Sequence, residues 1–182
     1  MTSIQACKLP DDALLLRYLN AGAYTDCYVV EIARAISLAE YVEAFYTTAV
    51  FKLERLLLSW FLARPSTDAQ ARELASGKRA SFAAWSVEAR EVNQVLLCDF
   101  QGRTRSWLMR APASNDQTTR LFFGSAVVPI LDSRSGEARM GAAFRALLGF
   151  HKLYSRVLLR AAVTRLGKSR EPHVPADNGG PR

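Results

Sequence analysis

Residues 93–110 read NQVLLCDFQGRTRSWLMR, and this stretch decides the fold class. Two runs without a breaker, Asn93 to Phe100 and Arg103 to Arg110, flank Gln101-Gly102, which has the turn chemistry of an antiparallel hairpin. The residues before it keep a period of two. Ser81 to Glu91 places Ala83, Trp85, Val87 and Ala89 on one face and Phe82, Ala84, Ser86 and Glu88 on the other. Beyond the hairpin, Pro112 to Thr118 is a polar loop. Thr119 to Val128 is a further strand, ended by Pro129. Upstream, Thr25 to Ile32 (TDCYVVEI) is rich in β-branched residues and supplies a fifth strand.

The remaining segments have helical character. A short apolar run from Ala13 to Leu19, stopped by Asn20 and Gly22, reads as a short helix or an arm. Ser37 and Glu40 have capping-box spacing, so a helix starts there. Leu38, Tyr41, Val42, Phe45, Ala49, Leu53, Leu56, Leu57 and Trp60 then recur at steps of three or four, which predicts one continuous helix to about Leu62. Thr67 and Gln70 start a second helix that ends near Gly77. After a flexible connection over Asp132 to Gly141, Ala142 to Leu166 forms a long amphipathic helix. Phe144, Leu147, Leu148, His151, Tyr154, Leu158, Ala161 and Ala162 share one side, and Arg145, Lys152, Arg156 and Arg160 another. The tail KSREPHVPADNGGPR has almost nothing apolar to bury, which predicts disorder.

Composition removes whole classes of chemistry. The chain has 182 residues, 49% of them hydrophobic and 23% charged, as expected of a globular domain. Charge-free apolar runs such as Leu56 to Ala63 are far below the roughly 20 residues of a membrane span. No secretory leader pattern opens the sequence, so a cytoplasmic protein is expected. Cys7, Cys27 and Cys98 are widely spaced and contain no CxxC pair, which indicates neither a disulfide framework nor a zinc ribbon. With only His151 and His173 present, a multi-histidine metal site is excluded. GxSxG, Walker A and GxGxxG strings are absent, and no cofactor is expected. The net charge of +7 comes entirely from residues 134–182, which carry 10 basic and 3 acidic side chains. No nucleic-acid-binding motif accompanies that charge, so nucleic acid is not an expected partner.

Strand, two helices, a run of antiparallel strands and a long last helix make an α+β protein. This order, over roughly Thr25 to Leu166, resembles the helix-grip superfamily of START domains, Bet v 1-like proteins and small polyketide cyclases. The texture from LPDDALLLRYLNAGAYTDCYVVEI into the helix carrying FYTTAVFKLERLL resembles a bacterial branch of it. The resemblance implies a curved antiparallel sheet gripping the C-terminal helix over an apolar cavity. The corresponding division is residues 1–24 as an arm or short helix, 25–166 as one domain, and 167–182 as a basic tail.

Five residues are candidates for the wall of such a cavity: Trp85, Arg105, Trp107, His151 and Tyr154. His151 lies on the apolar side of the last helix, where an imidazole can hydrogen-bond a ligand carbonyl or serve as a general acid/base. A core histidine satisfied by its neighbours is the plainer alternative. Arg103, Arg105, Trp107 and Met109 share one strand face. Alternation fixes which residues share a face, not which face is inside. An inward Arg105 needs a carboxylate, with Glu54 the candidate, or an anionic ligand. The same logic makes Cys98 a small buried hydrophobe. The leading function is binding of a lipid-like, aromatic or polyketide-like small molecule. A cyclase or dehydratase using His151, with Arg105 or Tyr154 polarising a carbonyl, is the second reading. The third is an interaction protein docking on an anionic surface or acidic partner through its basic C-terminal helix. A second copy of the chain is a further candidate partner.

Overall fold

The computed structural model describes residues 3–53, 66–113, 117–131, 138–139 and 142–168, and the side chains of these except 130–131, 138–139 and 142–150. The protein is α+β. Its strands are β1 (Gln5–Ala6), β2 (Tyr24–Ile32), β3 (Ser81–Phe82), β4 (Trp85–Arg90), β5 (Gln94–Asp99), β6 (Thr104–Pro112), β7 (Thr119–Val127), β8 (Ile130–Leu131) and β9 (Ala138–Arg139). The helices are α1 (Leu16–Asn20), α2 (Leu38–Tyr46), α3 (Asp68–Ala75) and α4 (Ala142–Lys168). Seven strands form one antiparallel sheet in the order β1-β2-β7-β6-β5-β4-β3, and β8 pairs with β9. The two ends of the chain's strand run therefore meet at β2–β7, while everything between follows by hairpins. Gly102 takes the left-handed φ of +70° that the β5–β6 turn requires.

Both capping boxes form. Ser37 Oγ accepts from Glu40 N and Glu40 Oε2 accepts from Ser37 N, and Thr67 and Gln70 repeat the arrangement at α3. The continuous helix expected to Leu62 does not form. It stops at Tyr46, and residues 49–53 are helical again after a break. The cause is the Thr47-Thr48 pair. Thr47 Oγ1 donates to Glu43 O at 2.6 Å and Thr48 Oγ1 to Phe45 O at 3.0 Å. Thr48 Oγ1 also accepts from Phe51 N, so it caps the second stretch. Glu54 to Pro65 and the 169–182 tail lie outside the described residues.

The single strand expected over 81–91 is two. Phe82 pairs with Trp85 across a two-residue turn at Ala83-Ala84, with Ala83 at φ +52°. No glycine or proline marks this turn, which hid it from the sequence. A bulge at Glu88 then shifts the β4–β5 register between Val87 and Ala89. One extra residue reverses the alternation beyond it. Ala89 consequently packs with the outer cluster instead of sharing the face of Trp85 and Val87. Arg90 turns to the helix side, where it donates to Leu74 O and Ala75 O at the end of α3.

Both faces of the sheet are covered. On the helix face, α2, α3 and the C-terminal half of α4 bury Tyr41, Phe45, Tyr46, Phe82, Phe123 and Leu159. Tyr41 donates to Phe122 O at 3.1 Å, and the Tyr46 hydroxyl pairs with Ser106 Oγ at 3.1 Å, so both buried phenols are satisfied. The outer face is smaller. There the N-terminal segment lays Ala13 and Leu15 over Leu96, Trp107, Met109 and Phe122. No helix among the described residues is long and apolar enough to cross a membrane.

Candidate functional site

A polar cluster sits where α4 meets β2 and β7. Even-numbered residues of β2 face the helices, as Tyr28 and Val30 in the aromatic core show. Asp26 and Tyr24 therefore face them too. The β2–β7 register places Ser125 opposite Asp26. Asp26 Oδ1 accepts from Ser125 Oγ at 2.6 Å and from Ser125 N at 3.1 Å. Ser155 Oγ, from α4, donates to Oδ2 at 3.5 Å. His151, one turn earlier on α4, brings Nε2 to 2.7 Å from Ser125 Oγ and 3.5 Å from Asp26 Oδ2. The Tyr24 ring packs edge-on against the imidazole at 6.1 Å. Burial and the Asp26 charge push the Tyr24 hydroxyl up to about 12.

The proton order in this cluster follows from what each atom can do. The Asp26 carboxylate only accepts, so Ser125 spends its hydroxyl proton on Oδ1. Ser125 Oγ must then accept from His151, which makes Nε2 a donor. His151 is thus not the base for Ser125, and the trio differs from a nucleophilic triad, in which the carboxylate orients the other ring nitrogen. The Asp26 side chain is 7% exposed and that of His151 23% exposed, so the imidazole reaches the surface while the carboxylate behind it does not. His151 is also not packed dry among aliphatic side chains. Its ring is held in place by Ser125 and Asp26, with Nε2 turned toward both.

The sheet separates the five residues expected to share one cavity. Tyr154 packs on the helix side with the aromatic core, and Trp85 packs against the same core from β4. Trp85 stands three strands from Ser125, roughly 14 Å at ~4.8 Å per strand, and does not reach the His151 cluster. Arg105 and Trp107 are on the opposite face. Trp107 is fully buried, and its Nε1 donates to Gln94 Oε1 at 2.8 Å. The Arg105 side chain is 11% exposed and pairs with Glu88 at 2.6 Å, whereas Glu54, the carboxylate expected beside it, lies outside the described residues. Its Nε also donates to the Tyr18 hydroxyl at 2.7 Å, and its guanidinium lies 4.6 Å from the centre of the Tyr18 ring. Burial opposes the charge, but the Tyr18 hydroxyl and the Glu88 carboxylate outweigh it and hold Arg105 above its ordinary value. This charge is consumed in attaching the N-terminal segment. Strand alternation explains why: Glu88 faces away from Trp85 and Val87, which puts its carboxylate on the outer face beside Arg105.

Sequence reasoning missed Asp26, Ser125 and Ser155. Their meeting depends on a pairing across 99 residues that no local signal announces. Cys98 is half-buried, with its thiol raised by burial. Along the outer side of α4, Lys152, Arg156 and Arg160 are exposed, and Arg156 lies 5.3 Å from the Tyr28 ring centre. The fold and site define an α+β protein with a helix closed over an antiparallel sheet by a carboxylate–hydroxyl–imidazole cluster. Comparison of the chain with family models, with curated proteins and with solved structures finds no match.

Proposed function

We propose that the chain is a helix-grip protein that binds a small molecule, lipid-like, aromatic or polyketide-like, with its polar end at the His151–Ser125–Asp26 cluster. The observation that carries this reading is the partly exposed imidazole that a serine and a buried carboxylate hold in place at the sheet–helix junction. Prearranged polar groups beside an aromatic wall are what orient an apolar ligand. The sheet order β2-β7-β6-β5-β4-β3, with two helices after β2 and α4 following the last strand of the sheet, supports the helix-grip reading. Arg105, tied to Glu88, has no part in the site.

Binding is favoured over acid/base catalysis because His151 Nε2 is committed as a donor to Ser125. The test is a titration of the full chain with fatty acids, aromatic carboxylates and phenolic polyketide-like compounds. The readouts are the His151 ring signals by NMR and tryptophan emission. At least one class is expected to saturate, and His151→Ala is expected to weaken it about tenfold or more, the loss of one oriented hydrogen bond. If no compound moves the His151 ring signals, the reading fails.

A further inference from the structure

We propose that Cys7 and Cys27 form an oxidisable dithiol site in which Cys7 attacks a peroxide and Cys27 resolves the product to a disulfide. The register of β1 on β2, with Ala6 opposite Tyr28, carries Cys7 to a place directly opposite Cys27. Cys7 N donates to Cys27 O at 3.0 Å, which continues the β1–β2 ladder by one bond and holds the two residues as a cross-strand pair. Such pairs hold their Cα atoms about 5.5 Å apart, inside the roughly 4.4–6.8 Å that disulfides span. The two Sγ atoms are already in contact at 3.2 Å, with both thiols free. Closing the bond therefore needs a side-chain adjustment, not a backbone rearrangement.

The two thiols have different surroundings. Cys7 is half-exposed and lies in the wall of two surface depressions, one of about 540 Å³ shared with Glu31 and Arg120, the other of about 390 Å³ shared with Lys8, Asp26 and Cys27. Cys27 is 5% exposed beneath it. The hydrogen bond with Cys27 holds the Cys7 thiol below its ordinary value against the opposing effect of burial. The same contact, followed by burial, pushes Cys27 up. The thiolate is the nucleophile, so the attacking sulfur is the accessible Cys7 and the resolving one the covered Cys27. Cys98, on β5, is exposed to a similar degree, but its thiol is raised and contacts Asp99 O instead of a second thiol.

The chemistry balances with hydrogen peroxide as oxidant. The Cys7 sulfur attacks one peroxide oxygen and the O–O bond breaks. The departing hydroxide takes up the proton released by the Cys7 thiol and leaves as water, converting Cys7 to a sulfenic acid. The Cys27 sulfur then attacks the Cys7 sulfur. The S–O bond breaks, the hydroxyl takes the Cys27 proton and leaves as a second water, and the disulfide remains. Two thiols are oxidised and one peroxide is reduced. The product ties the two-residue edge strand β1 covalently to β2.

The test treats the reduced full chain with hydrogen peroxide and follows intact mass, thiol titration and peptide mapping. A loss of about 2 Da, the two thiol hydrogens, is expected in the monomer. The linked peptides should contain Cys7 and Cys27, with Cys98 the thiol left to titrate. The reaction should run about tenfold or more faster in the native chain than in urea, because the fold creates the reactive pair. Cys27→Ser should stop the reaction at a sulfenic acid on Cys7 that a dimedone probe captures, while Cys98→Ser should change nothing. Mapping the wild-type chain decides the matter even if a variant fails to fold. First oxidation at Cys98, a disulfide between two chains, or a native rate no faster than in urea overturns the proposal.

Discussion

The two faces of the sheet are built differently. The helix face is a broad aromatic interior under three helices, closed at one edge by the Asp26–Ser125–His151 cluster. The outer face is covered by one short N-terminal segment, and polar fastenings do much of the holding. Gln94, fully buried, accepts from Leu14 N and Trp107 Nε1 and donates to Asp12 O, while Glu88 binds Arg17, Tyr18 and Arg105. A helix supplies an apolar stripe of its own and satisfies its backbone internally. A loop does neither, so the sheet beneath it must provide partners for the loop's N–H and C=O groups. The difference shows how a sheet can be covered on both sides without a second layer of helices.

The largest expected effect tests whether the outer face is a true core. Trp107→Ala removes a fully buried ring and leaves Gln94 Oε1 short of a donor. It is expected to cost about 3–5 kcal/mol in urea unfolding, whereas Leu158→Ala on the helix face should cost about 2–4 kcal/mol. A smaller loss from Trp107→Ala than from Leu158→Ala would reduce the N-terminal segment to a veneer and break the comparison. The next effect sharpens it. Gly124 lies opposite Trp107 in the sheet, and a Cβ there would meet Asp26 O at 2.8 Å and the Trp107 ring and Leu15 at 3.0 Å. Two of those neighbours are a backbone oxygen and a rigid indole, which cannot yield. Gly124→Ala is expected to cost about 1–3 kcal/mol by overpacking, and protease cleavage within the N-terminal segment should accelerate. Unchanged stability would mean that the ring is not seated on the glycine.

The smallest effect belongs to the helix face. Tyr24 has a hydroxyl pushed up to about 12, from an ordinary value of 10.0. The folded chain holds that proton after the unfolded chain has released it, so stability from this group is complete below about pH 10 and declines as pH rises toward 12. Tyr24→Phe is expected to make the urea midpoint fall less steeply over that window, with no change in its slope near pH 7. An identical decline in the variant would remove Tyr24 from the coupling with Asp26.

Much of the outer-face geometry was within reach of the sequence. The Gln101-Gly102 turn pairs Cys98 with Arg105, and Arg105 shares a face with Trp107 whatever that face meets. What the alternation could not supply was the bulge at Glu88. One added residue sends Ala89 to the outer face and moves Arg90 to the helix side, where it meets the end of α3. The strand break at Ala83 was equally hidden, because alanine carries no turn signal. The break at Thr47-Thr48 was legible in principle. Two adjacent β-branched hydroxyl residues compete with the helix for its own carbonyls, but the apolar stripe running through them masked the interruption.

By itself the sequence determined the α+β class, the two capped helix starts, the hairpin at Gly102 and the long last helix. Each follows from interactions within a few residues: periodicity, capping and turn chemistry. Tertiary structure alone decided which face of each strand is inside, where Arg105 spends its charge, and that Asp26, Ser125 and His151 meet. It also placed Cys7 against Cys27. The physical reason is the same throughout. These contacts join segments distant in sequence through the β1–β2 and β2–β7 pairings and the docking of α4, and a local pattern has no register with a strand it has not yet met.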